Sequence, residues 1–152
     1  EGLGVLVEAQ ETVGVGPDQL EEVIFASQEK MAARFGLCCY GCCEPINNRW
    51  HILKRIPNLR IAAVSPWADE ELMASVLAGN YVYSRRPNPA QISTAAFDEA
   101  AIRADIRHTL TVAGGCHIEF LMKDVHTVDN KPERLARWVE IVREESDRYF
   151  AG

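Results

Sequence analysis

The chain has 152 residues, of which 47% are hydrophobic and 25% are charged, and its net charge is −6. This length allows one domain with a real core, and the negative charge excludes the broad basic surface that binds nucleic acid or anionic lipid. No apolar run approaches the roughly 20 residues of a membrane span. Four of the five cysteines lie within residues 38–43, which predicts reduced thiols in the cytoplasm rather than a disulfide framework.

Apolar residues along the chain predict strands and helices in alternation. Short apolar runs predict strands at 3–7, 37–41, 59–64, 81–84 and 116–122. Helical spacing predicts helices between them, at 17–35, 46–56, 72–77 and 102–110, and after Asn130. In the last helix, Leu135, Trp138, Val139 and Val142 are expected to face inward. We therefore predict one α/β domain over residues 1–152, with a parallel sheet.

Four of the predicted strands end in side chains that can carry chemistry. The groups are, in chain order, Cys42, Cys43 and Glu44; Ser65 and Trp67; Arg85 and Arg86; Lys123, Asp124 and His126. The carboxyl ends of parallel strands share one edge of a sheet, and ligands bind at that edge. We therefore expect these four groups to converge in space.

The segment 37–45, LCCYGCCEP, allows two chemistries. Cysteines beside a carboxylate form a soft, anionic pocket that suits zinc, and Cys42, Cys43 and Glu44 are the expected ligands. Alternatively, Cys39 and Cys42 have the C-x-x-C spacing of a dithiol redox site. Strand alternation places Cys38 and Cys39 on opposite faces, so at least one of them is expected to be a core residue.

The charged strand ends have both functional and ordinary interpretations. Arg85 and Arg86 could hold a carboxylate or phosphate of a substrate, or could form solvated ion pairs with some of the 22 acidic residues. Asp124 and His126 could carry general acid–base chemistry together with Lys123, or could belong to an ordinary polar turn before a helix.

Several motifs in family order resemble the uroporphyrinogen decarboxylase-like superfamily, in its branch related to cobalamin-dependent methyltransferases. They cover nearly all of the chain and comprise VGVGPDQLEE (13–22), YGCCEP (40–45), NLR (58–60), SPW (65–67), YSRRPNP (83–89) and KDVHT (123–127), followed by Arg137-Trp138. The resemblance implies a (β/α)8 barrel of which this chain supplies about the last five βα units. Such a partial barrel is expected to form a homodimer or to pair with the missing amino-terminal half, since its end strands lack neighbours.

The resemblance also implies a zinc ion that holds a thiol substrate as a thiolate for attack on a methyl group of a corrinoid, which a separate corrinoid protein could carry. Cys42 matches the cysteine of the family's His-x-Cys zinc pair. Tyr40 occupies the histidine position, and the cysteine expected after the last strand falls near Lys123. Cys43, Glu44 and His126 are the candidates to replace the two absent ligands.

Three other functions stay open from the sequence. The first is a relative of the porphyrinogen decarboxylases, although the residues those enzymes use lie in the part of the barrel that this chain does not match. The second is a dithiol redox protein that uses Cys39 and Cys42. The third is a non-catalytic fragment with an incomplete site.

Overall fold

A computed structural model describes residues 2–152 as an α/β fold around one sheet. Five strands lie side by side in chain order, and every neighbouring pair is parallel. They are β1 (Gly4–Val7), β2 (Leu37–Tyr40), β3 (Leu59–Val64), β4 (Val82–Arg85) and β5 (His117–Phe120). The predicted class and the parallel sheet are confirmed. β5 is shorter than predicted, and β4 extends to Arg85, which the sequence placed in a loop.

Helices connect each strand to the next. Before β2 lie α1 (Pro17–Leu20), a π-helical turn (Glu21–Phe25) and α2 (Ala26–Ala32), and before β3 lies α3 (Trp50–Leu53). α4 (Glu70–Leu77) connects β3 to β4, and α5 (Ala90–Ser93) and α6 (Glu99–Val112) connect β4 to β5. The last helix, α7 (Glu133–Ala151), follows β5. Short 3-10 turns occur at Gln10–Thr12 and Asn47–Arg49. No helix among residues 2–152 has the length and apolarity needed to cross a membrane.

The π-helical turn changes which side chains of the first helical segment face the core. Leu20 and Phe25 are both buried although they are five positions apart, because a π turn adds a residue to the helical repeat. Val23, a member of the predicted apolar stripe, is 72% exposed as a result.

The inner face of α7 also differs from the prediction. Trp138 is buried as expected, but Leu135 and Val139 are exposed. The other buried positions of this helix include Arg134, which lies 3.7 Å from Asp129, and Glu145, which pairs with Arg103 at 2.7 Å. An apolar pattern alone does not reveal a helix face that is partly ionic.

The two faces of the sheet have different surroundings. Sequential parallel strands with right-handed crossovers place the connecting helices on one face. On that face the strand side chains are buried in the main core, among them Val7, Cys38, Tyr40, Ala62 and Tyr83. The opposite face, which we call the open face, carries alternate residues of each strand. Of these, Leu6 is 51% exposed and Leu37 is 38% exposed.

Candidate metal and thiol site

The loop after β2 and the segment after β5 meet at the carboxyl edge of the sheet. Cys42 and Cys43 belong to the first, and Lys123 and Asp124 to the second. Cys42 and Lys123 are 81 positions apart in the sequence, and so are Cys43 and Asp124. The predicted convergence at the strand ends therefore holds for these two groups.

The ammonium group of Lys123 contacts Cys42. Lys123 Nζ donates a hydrogen bond to Cys42 Sγ at 2.7 Å, and Glu8 Oε2 lies 3.9 Å from the same nitrogen. Burial alone would lower the pKa of Lys123. The hydrogen bond to Cys42 and the negative charges of Cys42 and Glu8 outweigh it and raise that pKa. The lysine is therefore held as a cation against a sulfur atom.

Cys43 and Asp124 form the second contact between the two segments. The thiol of Cys43 donates a hydrogen bond to Asp124 Oδ2, and its sulfur lies 3.7 Å from that of Cys42. Burial raises the pKa of Cys43, and the hydrogen bonds to Asp124 and Cys42 raise it further. In this state the proton stays on Cys43, in the hydrogen bond to the Asp124 carboxylate.

Three of these side chains together could hold a metal ion. One ligand atom from each of Cys42, Cys43 and Asp124 lies within 4.8 Å of the other two. Two sulfur atoms and one carboxylate oxygen form a mixed donor set that a borderline-soft ion accepts. Of the ligands predicted from the sequence, Cys42 and Cys43 belong to this group, and Asp124, predicted as an acid–base residue, completes it.

Glu44 anchors the cysteine loop through its carboxylate. Its Oε1 accepts a hydrogen bond from the backbone N–H of Ala9 at 3.1 Å, and its Oε2 accepts one from the N–H of Cys42 at 2.9 Å. The side chain is buried. Both oxygens of this predicted ligand are thus directed at the backbone, and Glu44 joins the loop after β1 to the loop that carries the cysteines.

Two backbone positions with positive φ shape the site. Gly41 has φ +92°, and a Cβ atom there would lie 3.3 Å from the Cβ of Ala63. Only glycine suits such a turn, which directs the chain from β2 into the cysteines. Asp124 has φ 57°, a left-handed conformation that aspartate tolerates better than most residues. Such conformations often occur at functional sites.

The contacts across the site show the path of the segment after β5. In a flat sheet, β2 and β5 would lie about 14 Å apart, which is three strand spacings. Lys123 nevertheless reaches Cys42, and it approaches Glu8, which follows β1 at the far edge. The segment after β5 must therefore fold back over the ends of the intervening strands.

Arg86 lies on the open face near the site. Its guanidinium is buried, and its Nη1 lies 3.4 Å from Glu119 Oε1, which also accepts a hydrogen bond from Ser84. Its Nε is buried without a hydrogen-bond partner in the described chain. Arg86 also lies close enough to Cys39 for its charge to oppose the rise that burial causes in the pKa of that cysteine.

Arg85, predicted beside Arg86 as a substrate clamp, points to the helical side of the sheet. It pairs with Glu70 at 2.8 Å and with Asp105 at 3.3 Å, and it donates to the carbonyl of Ser65 at 3.0 Å. Strand alternation explains why two consecutive arginines have such different surroundings.

The remaining predicted residues lie apart from these contacts. Ser65 is buried, and its hydroxyl accepts a hydrogen bond from the backbone N–H of Trp67 in the turn after β3. Trp67 is 68% exposed. His126 is exposed and has no hydrogen-bond partner among the described residues.

The other cysteines are not part of the ligand group. Cys38 is buried in the core, and burial raises its pKa to about 11. Cys116 lies before β5, where its thiol donates to the carbonyl of Ala74. Cys39 is half-buried on the open face, and the sulfur neighbour of Cys42 is Cys43 rather than Cys39.

Sequence reasoning missed two acidic residues near the site, Glu8 and Glu119. Glu8 follows β1 directly, so the rule applied to the other strand ends would have found it. Glu119 lies in β5, where His117 and Glu119 alternate with Ile118 and Phe120. That alternation predicts one polar face, which is the open face.

No family model matches the chain, and the searches of curated proteins and of solved structures found no match either. The candidate function therefore depends on the residues and contacts described above.

Proposed function

We propose that the chain belongs to a methyltransferase that activates a small thiol on a zinc ion held by Cys42, Cys43 and Asp124. The methyl donor in this proposal is a corrinoid, carried by a separate corrinoid protein. The motifs in common with the uroporphyrinogen decarboxylase-like superfamily motivate the reaction class. The observation that carries the metal site is the 4.8 Å group of two sulfurs and a carboxylate oxygen.

The donor set fits a catalytic zinc better than a structural zinc. Structural zinc sites use four protein ligands, whereas catalytic sites use three and leave one position for water or substrate. The described residues offer three ligands, and Glu44 has both oxygens engaged by backbone N–H groups. When bound, zinc supplies the Lewis acidity that stabilises a substrate thiolate at neutral pH.

The chain's own residues have separate tasks in this proposal. Asp124 holds Cys43 in place through their hydrogen bond and stays ionised as the third ligand, while the Cys43 proton would leave to solvent on metal binding. Lys123 compensates negative charge at Cys42 until the ligands are engaged. Glu44 keeps the backbone of Cys42 in place. A metal site of this kind needs deprotonated cysteines, so zinc binding should release protons to solvent.

The contacts between the ends of β2 and β5 support the partial-barrel interpretation. A barrel brings the carboxyl ends of all its strands around one mouth, so distant strands contribute to a single site. Lys123, which reaches both Cys42 and Glu8, fits such an arrangement. In this interpretation the open face of the sheet is part of the barrel interior, and a further chain or a second copy covers it.

The test is zinc content followed by a methyl-transfer assay. Protein purified under reducing conditions without chelator should contain about one zinc per chain, and Cys42→Ser and Cys43→Ser should each remove it. Cys116→Ser is the matched control and should keep it. Transfer from methylcobalamin to a small thiol should then depend on the same two cysteines. A chain without zinc, or one in which all three variants behave alike, would contradict the proposal.

The dithiol redox function based on Cys39 and Cys42 has weaker support. Burial raises the pKa of Cys39, although Arg86 and Lys123 oppose this rise. A reactive dithiol usually has one thiol of lowered pKa. A titration of free thiols after mild oxidation would test this alternative directly, with Cys39→Ser as the informative variant.

A further inference from the structure

The contact between Lys123 and Cys42 is unusually close for the atoms involved. Nζ and Sγ lie 2.7 Å apart, at the short limit of about 2.7 Å that even N–H···O hydrogen bonds reach. Sulfur is larger than oxygen, so a plain hydrogen bond to sulfur is longer. Atoms at this separation can be connected through one bridging atom without movement of the backbone.

We propose that dioxygen joins Cys42 and Lys123 through a reversible N–O–S bridge. The reaction converts R–NH2, R′–SH and O2 into R–NH–O–S–R′ and water. One N–H bond, one S–H bond and the O–O bond break, and an N–O bond and an O–S bond form. Nitrogen and sulfur each lose two electrons, and dioxygen takes all four. One oxygen atom stays in the bridge and the other leaves as water.

The surroundings of the pair favour this product. Glu8 Oε2 lies 3.9 Å from Lys123 Nζ, so an acceptor for the protons released as the N–O bond forms is present in the site. The lysine side chain is 30% exposed, so a small oxidant can reach it, while Cys42 is almost completely buried. A small oxidant therefore approaches the pair from the side of the lysine.

Cys43 is the competing partner, and its geometry is less favourable. A disulfide needs its two sulfurs at about 2.05 Å, whereas those of Cys42 and Cys43 are 3.7 Å apart. The two cysteines are also adjacent in the chain, so their disulfide would close a small ring across one peptide bond. The thiol of Cys43 is directed at Asp124, on the other side of the site.

The bridge would give the site a second state that does not depend on the proposed methyl transfer. In that state Cys42 is unavailable to a metal ion. Return to the free side chains takes four electrons, which two equivalents of dithiothreitol supply. R–NH–O–S–R′ and four hydrogen atoms give R–NH2, R′–SH and water, so the sulfur leaves the sulfenic level and the N–O bond is cleaved as well. Metal binding and the bridge would therefore exclude each other.

The experiment is mass spectrometry of the intact, metal-free chain after incubation in air-saturated buffer, compared with a sample kept reduced and anaerobic. The bridge adds one oxygen and removes two hydrogens, so we expect a gain of about 14 Da that dithiothreitol reverses. Trypsin should no longer cleave after Lys123. Digestion should then yield one cross-linked product containing residues 35–49 and 108–134.

Three variants make the result specific. Cys43→Ser should keep the mass gain, whereas Cys42→Ser and Lys123→Arg should lose it, and arginine preserves the positive charge. An unchanged mass would overturn the proposal. A loss of two hydrogens without the cross-linked peptide would indicate a Cys42–Cys43 disulfide and would overturn it as well.

Discussion

The buried carboxylate of Glu44 should be the largest single polar contribution to the stability of the site. It accepts hydrogen bonds from the backbone N–H groups of Ala9 and Cys42, at 3.1 Å and 2.9 Å. Glu44→Ala removes both acceptors and leaves two donors in a buried region. We therefore expect this substitution to lower the free energy of unfolding substantially.

The magnitude follows from the number and type of these bonds. A hydrogen bond to a charged group contributes about 1.5–3 kcal/mol, so the loss of two predicts a decrease of about 3–6 kcal/mol for Glu44→Ala. Glu44→Gln keeps one carbonyl acceptor and turns an N–H group toward the other donor. Its expected cost is about 2 kcal/mol, between alanine and the native residue.

Urea unfolding followed by tryptophan fluorescence measures this difference, since Trp50 and Trp138 are buried in the core. Glu11→Ala, at an exposed position of the neighbouring loop, is the control and should stay within about 0.5 kcal/mol of the native chain. A loss below about 1 kcal/mol for Glu44→Ala would refute this reasoning. Zinc lost in Glu44→Gln without a loss of stability would instead support Glu44 as the ligand that the sequence predicts.

Three further predictions concern the rest of the fold. Gly41→Ala should destabilise the chain by about 1–3 kcal/mol in the same urea assay, because of its positive φ and the close Ala63 Cβ; a neutral result would contradict the described turn. Glu145→Ala should lower the free energy of unfolding more than Glu144→Ala does, because the carboxylate of Glu145 is buried and pairs with three arginines of α6 and α7 whereas Glu144 is exposed; equal effects would refute the distinction. Light scattering should detect self-association of the chain through the open face, and Leu6→Glu should weaken this association. A monomer at all concentrations would exclude a homodimer.

The sheet could be predicted from the sequence because its strands are short apolar runs between clear helix signals. The run at 59–64 matches β3 residue for residue. Parallel order then placed the cysteines of one loop and the lysine of another at a common edge, 81 residues apart in sequence. Periodicity and topology were sufficient for this step.

The pairing of individual side chains could not be predicted in the same way. Arg85 and Arg86 are neighbours in sequence, yet one pairs with helix residues and the other lies on the open face. The direction of each arginine side chain depends on where β4 ends, and the prediction from the sequence ended this strand one residue too early. Likewise, nothing in the motif at 40–45 reveals that Glu44 is engaged by backbone N–H groups of two loops.

Cobalt(II) titration of the reduced chain would test the central claim most directly. Cobalt(II) replaces zinc in tetrahedral sites and absorbs strongly when thiolates bind it. One equivalent should produce a thiolate charge-transfer band that Cys42→Ser and Cys43→Ser each weaken, that Asp124→Asn shifts, and that zinc abolishes. No such band, or a band of native intensity in either cysteine variant, would contradict a metal site at Cys42, Cys43 and Asp124.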